Sequence, residues 1–322
     1  MNINKDRLQQ HVEAMSLVGK IGETGTCRPT MTVLEKEAFT LAAGWMQEAG
    51  MKSHIDHFGN LIGRLEGSNP GLPVLMMGSH LDSQPYGGRF DGVAGVLCAI
   101  EAVKAITELG LKPERSIEVV SFADEEGWRF TKGLFGSRGI LGKLEPGELQ
   151  RTDKDGITRE QALIDFGCDP KKFSESEYKP GSIHCFLELH IEQGPVLDLA
   201  GKPIGVVSGI SGPLWLTVKL KGMAGHTGSV PMPLRKDALL GAAEIIVAVN
   251  EIATQVPGNP TVGTVATINV FPASRNIIAE ECVFTVDLRD IDLDRRNRYE
   301  KQLRDKIAEI TAKHKLSFEI TE

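Results

Sequence analysis

A chain of 322 residues, 41% hydrophobic and 25% charged, is long enough to hold two domains with real cores. Its net charge of −7 and the absence of any basic cluster argue against a nucleic-acid partner, and no apolar run approaches membrane-spanning length. The start, Met1 to Arg7, lacks the apolar stretch of a signal peptide; five scattered cysteines (27, 98, 168, 185 and 282) with no Cys-x-x-Cys pair predict reduced thiols in a cytoplasmic protein.

Residues 4–18 follow a helical period. A second helix starts at Thr32, whose partner Glu35 makes a Thr-x-x-Glu capping box, and stops at Gly50. Strand patterns follow at 52–57, 60–66 and 73–79, the last running into His80-Leu81-Asp82. After a Gly87-Gly88 loop, Asp91-Gly92 opens a long apolar helix that reaches Leu109. The small residues Gly92, Ala94, Gly95 and Ala99 predict that it packs close to a sheet. A strand over 116–122 ends in Ala123-Asp124-Glu125-Glu126-Gly127. The polar stretch 145–180 offers one short helix capped by Thr158 and Gln161, and no chemistry. A strand over 184–190 puts His184, Phe186, Glu188 and His190 on one face, with His190 last. Past residue 210 the order becomes strand (213–221), helix (235–254), strands (262–271 and 281–289), helix (293–314) and strand (316–321). This βαββαβ order is the split βαβ plan of a ferredoxin-like domain.

Chemistry gathers where the strands end. In an α/β sheet, ligands collect at the carboxyl edges of strands. His80 and Asp82 lie at such an edge, and the loop returns Asp91 to it; an imidazole beside carboxylates suits a divalent metal such as zinc. Two adjacent carboxylates, Glu125 and Glu126, repel each other unless a cation or a proton intervenes. One can ligate a metal while the other serves as general base. His190 is the third candidate ligand. Each feature alone has an ordinary structural explanation, but their recurrence at successive strand ends favours one site. In the second domain, His226 lies in a Gly-rich loop, Asn276 in Ser274-Arg275-Asn276, and Arg289 at a strand end. The planar fork of Arg289 can clamp a carboxylate. The other histidines (11, 54, 57, 184 and 314) read as surface or core residues.

The blocks Gly78-Ser79-His80-Leu81-Asp82-Ser83, Gly87-Gly88-Arg89-Phe90-Asp91-Gly92, Phe122-Ala123-Asp124-Glu125-Glu126-Gly127 and Leu189-His190-Ile191-Glu192-Gln193-Gly194-Pro195 carry a resemblance. They resemble the amidase/hydantoinase/carbamoylase branch of the dinuclear metallopeptidases, whose members include N-carbamoyl-L-amino-acid hydrolases, β-ureidopropionases and allantoate amidohydrolases. The resemblance implies an α/β, zinc-exopeptidase-like catalytic domain (1–210) with an inserted ferredoxin-like α+β lid (211–322) that also forms a homodimer. It implies two divalent metal ions per subunit, Zn2+ or Mn2+, Co2+ or Ni2+, with Asp91 bridging, His80 and His190 on one ion and Glu126 on the other. Glu125 is then the base, and Asp82 orients His80. Gln193, Asn276 and Arg289 contact the substrate, and His226 reaches the partner subunit's site to stabilise an oxyanion.

The activity so implied is hydrolysis of the carbamoyl amide of an N-carbamoyl-L-amino acid to amino acid, carbon dioxide and ammonia. Allantoate amidohydrolase and β-ureidopropionase share every residue named, and an aminoacylase or dipeptidase fits less well. In the family a return segment with a Gly-His-Asp-type block follows the lid, whereas this sequence stops at Glu322. The expectation is therefore a fragment that binds about one metal per subunit and turns over poorly. A catalytically impaired, lid-mediated dimeric binder is the alternative from another class.

Overall fold

The computed structural model describes residues 3–322 and contains two compact units, one ending at Pro203 and one spanning Ile204–Glu322. No helix among the described residues is long and apolar enough to cross a membrane, and all five cysteines are free.

The first unit opens with α1 (Lys5–Leu17), the two-residue strands β1 (Lys20–Ile21) and β2 (Gly25–Thr26), and α2 (Val33–Glu48). The expected cap is present: the Thr32 side chain accepts from Glu35 N at 3.5 Å. The Glu35 carboxylate reaches past Thr32, however, and accepts from the Met31 amide at 2.5 Å. Then come β3 (Lys52–Ile55), β4 (Leu61–Leu65), β5 (Val74–His80), the short β6 (Gly87–Gly88), α3 (Val93–Glu108) and β7 (Ile117–Phe122). The helices α4 (Phe135–Ile140), α5 (Arg159–Phe166) and α6 (Phe173–Ser176) precede β8 (Ile183–Leu187) and α7 (Val196–Leu199).

The main sheet runs β3-β4-β7-β5-β8, with β7, β5 and β8 mutually parallel in that order. Its core joins Val96, Leu97, Ile100 and Val103 of α3 to Val119 and Val120 of β7, all at most 1% exposed. Each such side chain contributes roughly 1.5–3 kcal/mol by leaving water. Helix α3 approaches the sheet as its small residues predict. A Cβ on Gly95 would lie 2.5 Å from the Leu189 carbonyl and 2.7 Å from Ser79 Cβ.

The last strand of this unit is shorter than the alternation implies. β8 stops at Leu187, so Glu188 and His190 lie beyond it in irregular chain. β8 pairs on one side only, with β5, and the residues that follow pass directly over Gly95 of α3.

The second unit comprises β9 (Gly212–Lys221), α8 (Ala238–Thr254), β10 (Val262–Thr264), β11 (Ile268–Phe271), β12 (Glu281–Asp290), α9 (Leu293–His314) and β13 (Ser317–Thr321). Its antiparallel sheet has the order β10-β12-β9-β13, the split βαβ arrangement. The single strand expected over 262–271 is two, both paired to β12. Thr264 faces Asp287 and Ile268 faces Phe284, so one extra residue is accommodated between them as a β-bulge. Alternation along β9 buries Leu214, Leu216, Val218 and Leu220 in the core and leaves Trp215 and Thr217 on the open face.

Candidate metal centre

The topology of the first unit brings three chain segments to one sheet edge. β5 ends at His80, β7 runs into 123–127, and the chain beyond β8 carries His190. These strands are parallel neighbours, so all three segments emerge at the carboxyl edge, where α/β sheets hold ligands. The loop containing β6 then delivers Asp91. His80, Asp91 and His190 each present a ligand atom within 4.8 Å of the other two.

Local contacts aim both imidazoles. His80 Nδ1 is 2.9 Å from the main-chain oxygen of Asp82, and His190 Nδ1 is 2.9 Å from that of Ile191. With Nδ1–H donated to a carbonyl, Nε2 is left as the ligating nitrogen on each ring. His190 Nε2 points at Asp91 Oδ1, 3.2 Å away. Gly92 caps the start of α3 with φ +64°, and a Cβ there would stand 2.5 Å from the His80 ring. A glycine is therefore required for the Asp91 loop to close on His80.

The charge balance of the cluster suits a cation. Burial alone would lower the pKa of His80, but hydrogen bonding to Asp82 and the carboxylates of Asp82 and Glu125 raise it to about 10. The hydrogen bond with Asp91 raises His190 to about 8 and holds Asp91 below the ordinary carboxylate value. Burial pushes Glu125 upward, against the pull of His80. The site thus draws protons onto its imidazoles, and a divalent ion supplies the same charge more compactly. Two imidazoles and a carboxylate also form a donor set that suits zinc and leaves room for a further ligand.

The remaining predicted residues sit as follows. Glu125 Oε2 lies 3.6 Å from His80 Nε2, beside the cluster. Glu126 stands outside the three-donor group, its carboxylate accepting from Gln84 Nε2 at 2.8 Å. The Asp82 carboxylate accepts from the amides of Glu125 and Glu126 at 3.3 and 3.2 Å, and its Oδ1 is 3.6 Å from His80 Nδ1. It therefore fixes the Glu-Glu turn, while its carbonyl orients His80. Gln193, held at φ +56°, donates Nε2 to both Asp91 oxygens at 2.9 Å. In the second unit the His226 and Asn276 loops meet: Thr227 N donates to Asn276 O at 3.1 Å, and His226 pairs with Ile277. Arg289, on the open face of β12, lies over Asp287.

The sequence gives no warning of what braces the Glu-Glu turn. Asp124 has φ +50° and is 1% exposed, with its Oδ2 2.8 Å from Nη2 of the fully buried Arg159. Burial pushes Asp124 up to about 7 even against the guanidinium. Arg159 opens α5, within the stretch that shows no chemistry in sequence, and also bonds Glu148 and the Lys132 carbonyl. The cap residue Thr158 just before it marks the helix but not this contact. Glu188 is a second addition, accepting from Ser79 Oγ at 2.6 Å next to His80.

The donor set fits a metal-dependent enzyme, and sequence comparison assigns the family. The pattern of Peptidase family M20/M25/M40 matches residues 76–316, and the chain belongs to that family, whose general metal dependence agrees with the His80–Asp91–His190 group. An N-carbamoyl-L-amino-acid amidohydrolase of Pseudomonas sp. (strain NS671) is 48% identical over 322 residues, covering 99% of this chain and 78% of that protein. Allantoate deiminase of Arabidopsis thaliana is 37% identical over 317 residues, 89% of this chain and 60% of that protein. The crystal structure of an amidase of the hydantoinase/carbamoylase family from Burkholderia multivorans superposes with a TM-score of 0.86 at 35% identity, covering 99% of this chain and 77% of that one. The chain is thus a hydrolase acting on amide bonds. No relative supports the non-catalytic binder.

Proposed function

We propose that the protein hydrolyses the carbamoyl amide C–N bond of N-carbamoyl-L-α-amino acids, adding one water and releasing amino acid, carbon dioxide and ammonia. The observation that carries this reading is the 48% identity to a carbamoyl-amino-acid amidohydrolase along 99% of the chain, with His80, Asp91 and His190 in mutual reach. Allantoate is the second reading, favoured by the 37% identity to a plant allantoate deiminase.

His80, Asp91 and His190 would hold one divalent ion, while Asp91 with Glu126 would offer a second position with fewer protein donors; zinc, manganese, cobalt or nickel would suit these donors. A bound ion would supply Lewis-acid polarisation of the carbamoyl carbonyl and of the attacking water. Glu125 takes the proton of that water on a carboxylate oxygen and passes it to the leaving nitrogen. Asp82 keeps Glu125 in place through the amides it binds. Gln193 yields Asp91 and turns to the substrate. Arg289 and Asn276 hold the substrate carboxylate, and His226 stabilises the oxyanion in the partner subunit's site. This reading makes the first unit catalytic and the second the lid and dimerisation element. It also makes the protein cytoplasmic, in keeping with its five free thiols.

The test is a panel of N-carbamoyl-L-amino acids, N-carbamoyl-β-alanine and allantoate, assayed with added divalent metal. Fastest turnover of the N-carbamoyl-L-α-amino acids is expected. Preference for allantoate would select the second reading, and turnover of none would overturn both.

A further inference from the structure

A role for Asp287 emerges from β12, and it rests on the proposed function of Arg289 as the group that holds the substrate carboxylate. Residues alternate along β12. Val286, Leu288 and Asp290 turn inward, while Thr285, Asp287 and Arg289 share the open face. The inward Asp290 is fully buried and anchors the strand end. It accepts from Arg295 Nε at 2.7 Å and from the Asp292 amide at 2.8 Å, and it pairs with Thr261. The hydrogen bonds from Arg295 hold its pKa down at about 2, so the anchor stays ionised at any ordinary pH. The backbone that carries Arg289 is therefore fixed from below.

Above the sheet the guanidinium is fixed in turn. Arg289 Nε lies 2.9 Å from Asp287 Oδ1, and Nη2 lies 2.7 Å from Oδ2, a two-point contact along the Nε–Nη2 edge. Burial works against ionisation of Asp287, yet its hydrogen bonds with Arg289 keep its pKa below the ordinary carboxylate value. Nη1 has no protein hydrogen-bond partner among the described residues. Guanidinium carries five N–H donors around a rigid plane, so two edges can each bind a carboxylate. One edge is engaged by Asp287 and the other is free. On the neighbouring strands Trp215 stands opposite Asp287, and Val262 opposite Arg289, exposed side chains that flank the pair.

We infer that Asp287 is a positioning residue for Arg289: it holds the Nε–Nη2 edge so that the Nη1–Nη2 edge is presented, already ordered, to a substrate carboxylate. A free arginine must lose side-chain freedom when it binds, at roughly 0.5–1.5 kcal/mol per immobilised side chain. Asp287 takes that loss in the unliganded protein. The pair is partly exposed, side chains 44% and 30% accessible, so its contribution to folding is small and its removal leaves the fold intact.

The measurement is calorimetric titration of the metal-free chain, which isolates the clamp from the metal, with N-carbamoyl-L-alanine and with its carboxamide. Asp287→Ala is expected to weaken the carboxylate ligand by roughly 2–10-fold, the range set by that entropy, and to leave the carboxamide unchanged. Asp287→Asn, which keeps one acceptor, should fall between. Tighter binding of the carboxylate by Asp287→Ala would mean that Asp287 competes with the ligand, and would overturn the inference. Equal weakening of both ligands, or no change in either, would overturn it too. Arg289→Lys, run in parallel, separates the two claims. Loss of carboxylate preference in Arg289→Lys without any loss in Asp287→Ala removes the positioning role and keeps the clamp. A preference for the carboxylate as large in Arg289→Lys as in the unsubstituted chain removes the clamp itself.

Discussion

The residues proposed to act in the two units are held in different ways. In the first unit they converge because parallel neighbours β7, β5 and β8 deliver them to one edge, and they interact with each other: His80 with Asp82 and Glu125, His190 with Asp91. In the second the His226 and Asn276 loops meet through their backbones, but the side chains bond residues two or three positions away. His226 Nδ1 accepts from Gly228 N, Asn276 Oδ1 from Ser274 Oγ, and Arg289 lies on Asp287. The difference teaches where the work of assembly falls. The metal corner is built by topology. The side chains of the second unit are instead held locally, each by its own neighbours in sequence. Metal content and turnover should therefore respond differently to substitutions in the two units.

The largest effect tests the proposed base of the first unit. Glu125→Gln should lose roughly 10²–10⁴-fold in turnover, the usual scale for general base catalysis, with metal content unchanged. Near-normal turnover would remove Glu125 from the chemistry. Next comes its support. Asp82→Asn keeps the size of the side chain but weakens its grip on the Glu125 and Glu126 amides, and metal affinity or activity should drop roughly 10–100-fold. An unaffected variant would show that the turn is held by Arg159 and Asp124 alone. A third test crosses the units. On the proposed dimer with His226 acting in the partner's site, mixing the impaired Glu125→Gln and His226→Ala variants should recover part of the activity, since a mixed dimer contains one site with both residues intact. Subunit exchange without recovery would assign His226 to its own subunit's site or to none.

The smallest effect is the pH dependence of the metal-free chain. His190 is raised from 6.5 to about 8, and His80 to about 10, by their carboxylate partners. A raised histidine stabilises the fold fully below its unfolded pKa and loses that contribution as pH climbs through its folded value. The Tm of the metal-free chain should therefore decline from about pH 6.5 to about pH 10, first through His190 and then through His80. Saturating zinc should flatten the decline, because the ion takes the place of the protons. A Tm that rises across that window would contradict the charge balance of the metal corner.

Much of the fold is legible in the sequence because its signals are local. The cap at Thr32, the apolar period of α3 and the alternation along β9 each depend on residues within a few positions. His80 and Asp91 are legible for the same reason, one ending a strand and the other opening a helix. The end of β8 is not: alternation continues to His190, but pairing with β5 ends at Leu187, and Leu189 lies over Gly95 of α3 instead. The bulge between β10 and β11 depends on its partner strand and leaves no mark in its own residues. Arg159 is invisible for a different reason. Its partner Asp124 is 35 residues away, and a lone arginine in a polar stretch reads as solvated surface when it is in fact fully buried.

The central claim is that His80, Asp91 and His190 hold one divalent ion at the carboxyl edge of the first unit's sheet. Anomalous diffraction at the zinc edge from zinc-loaded crystals tests it most directly. A peak at roughly 2.0–2.2 Å from His80 Nε2, His190 Nε2 and an Asp91 oxygen is the expected result. A peak elsewhere, or a fully loaded protein in which either histidine lies outside bonding distance, would contradict the account.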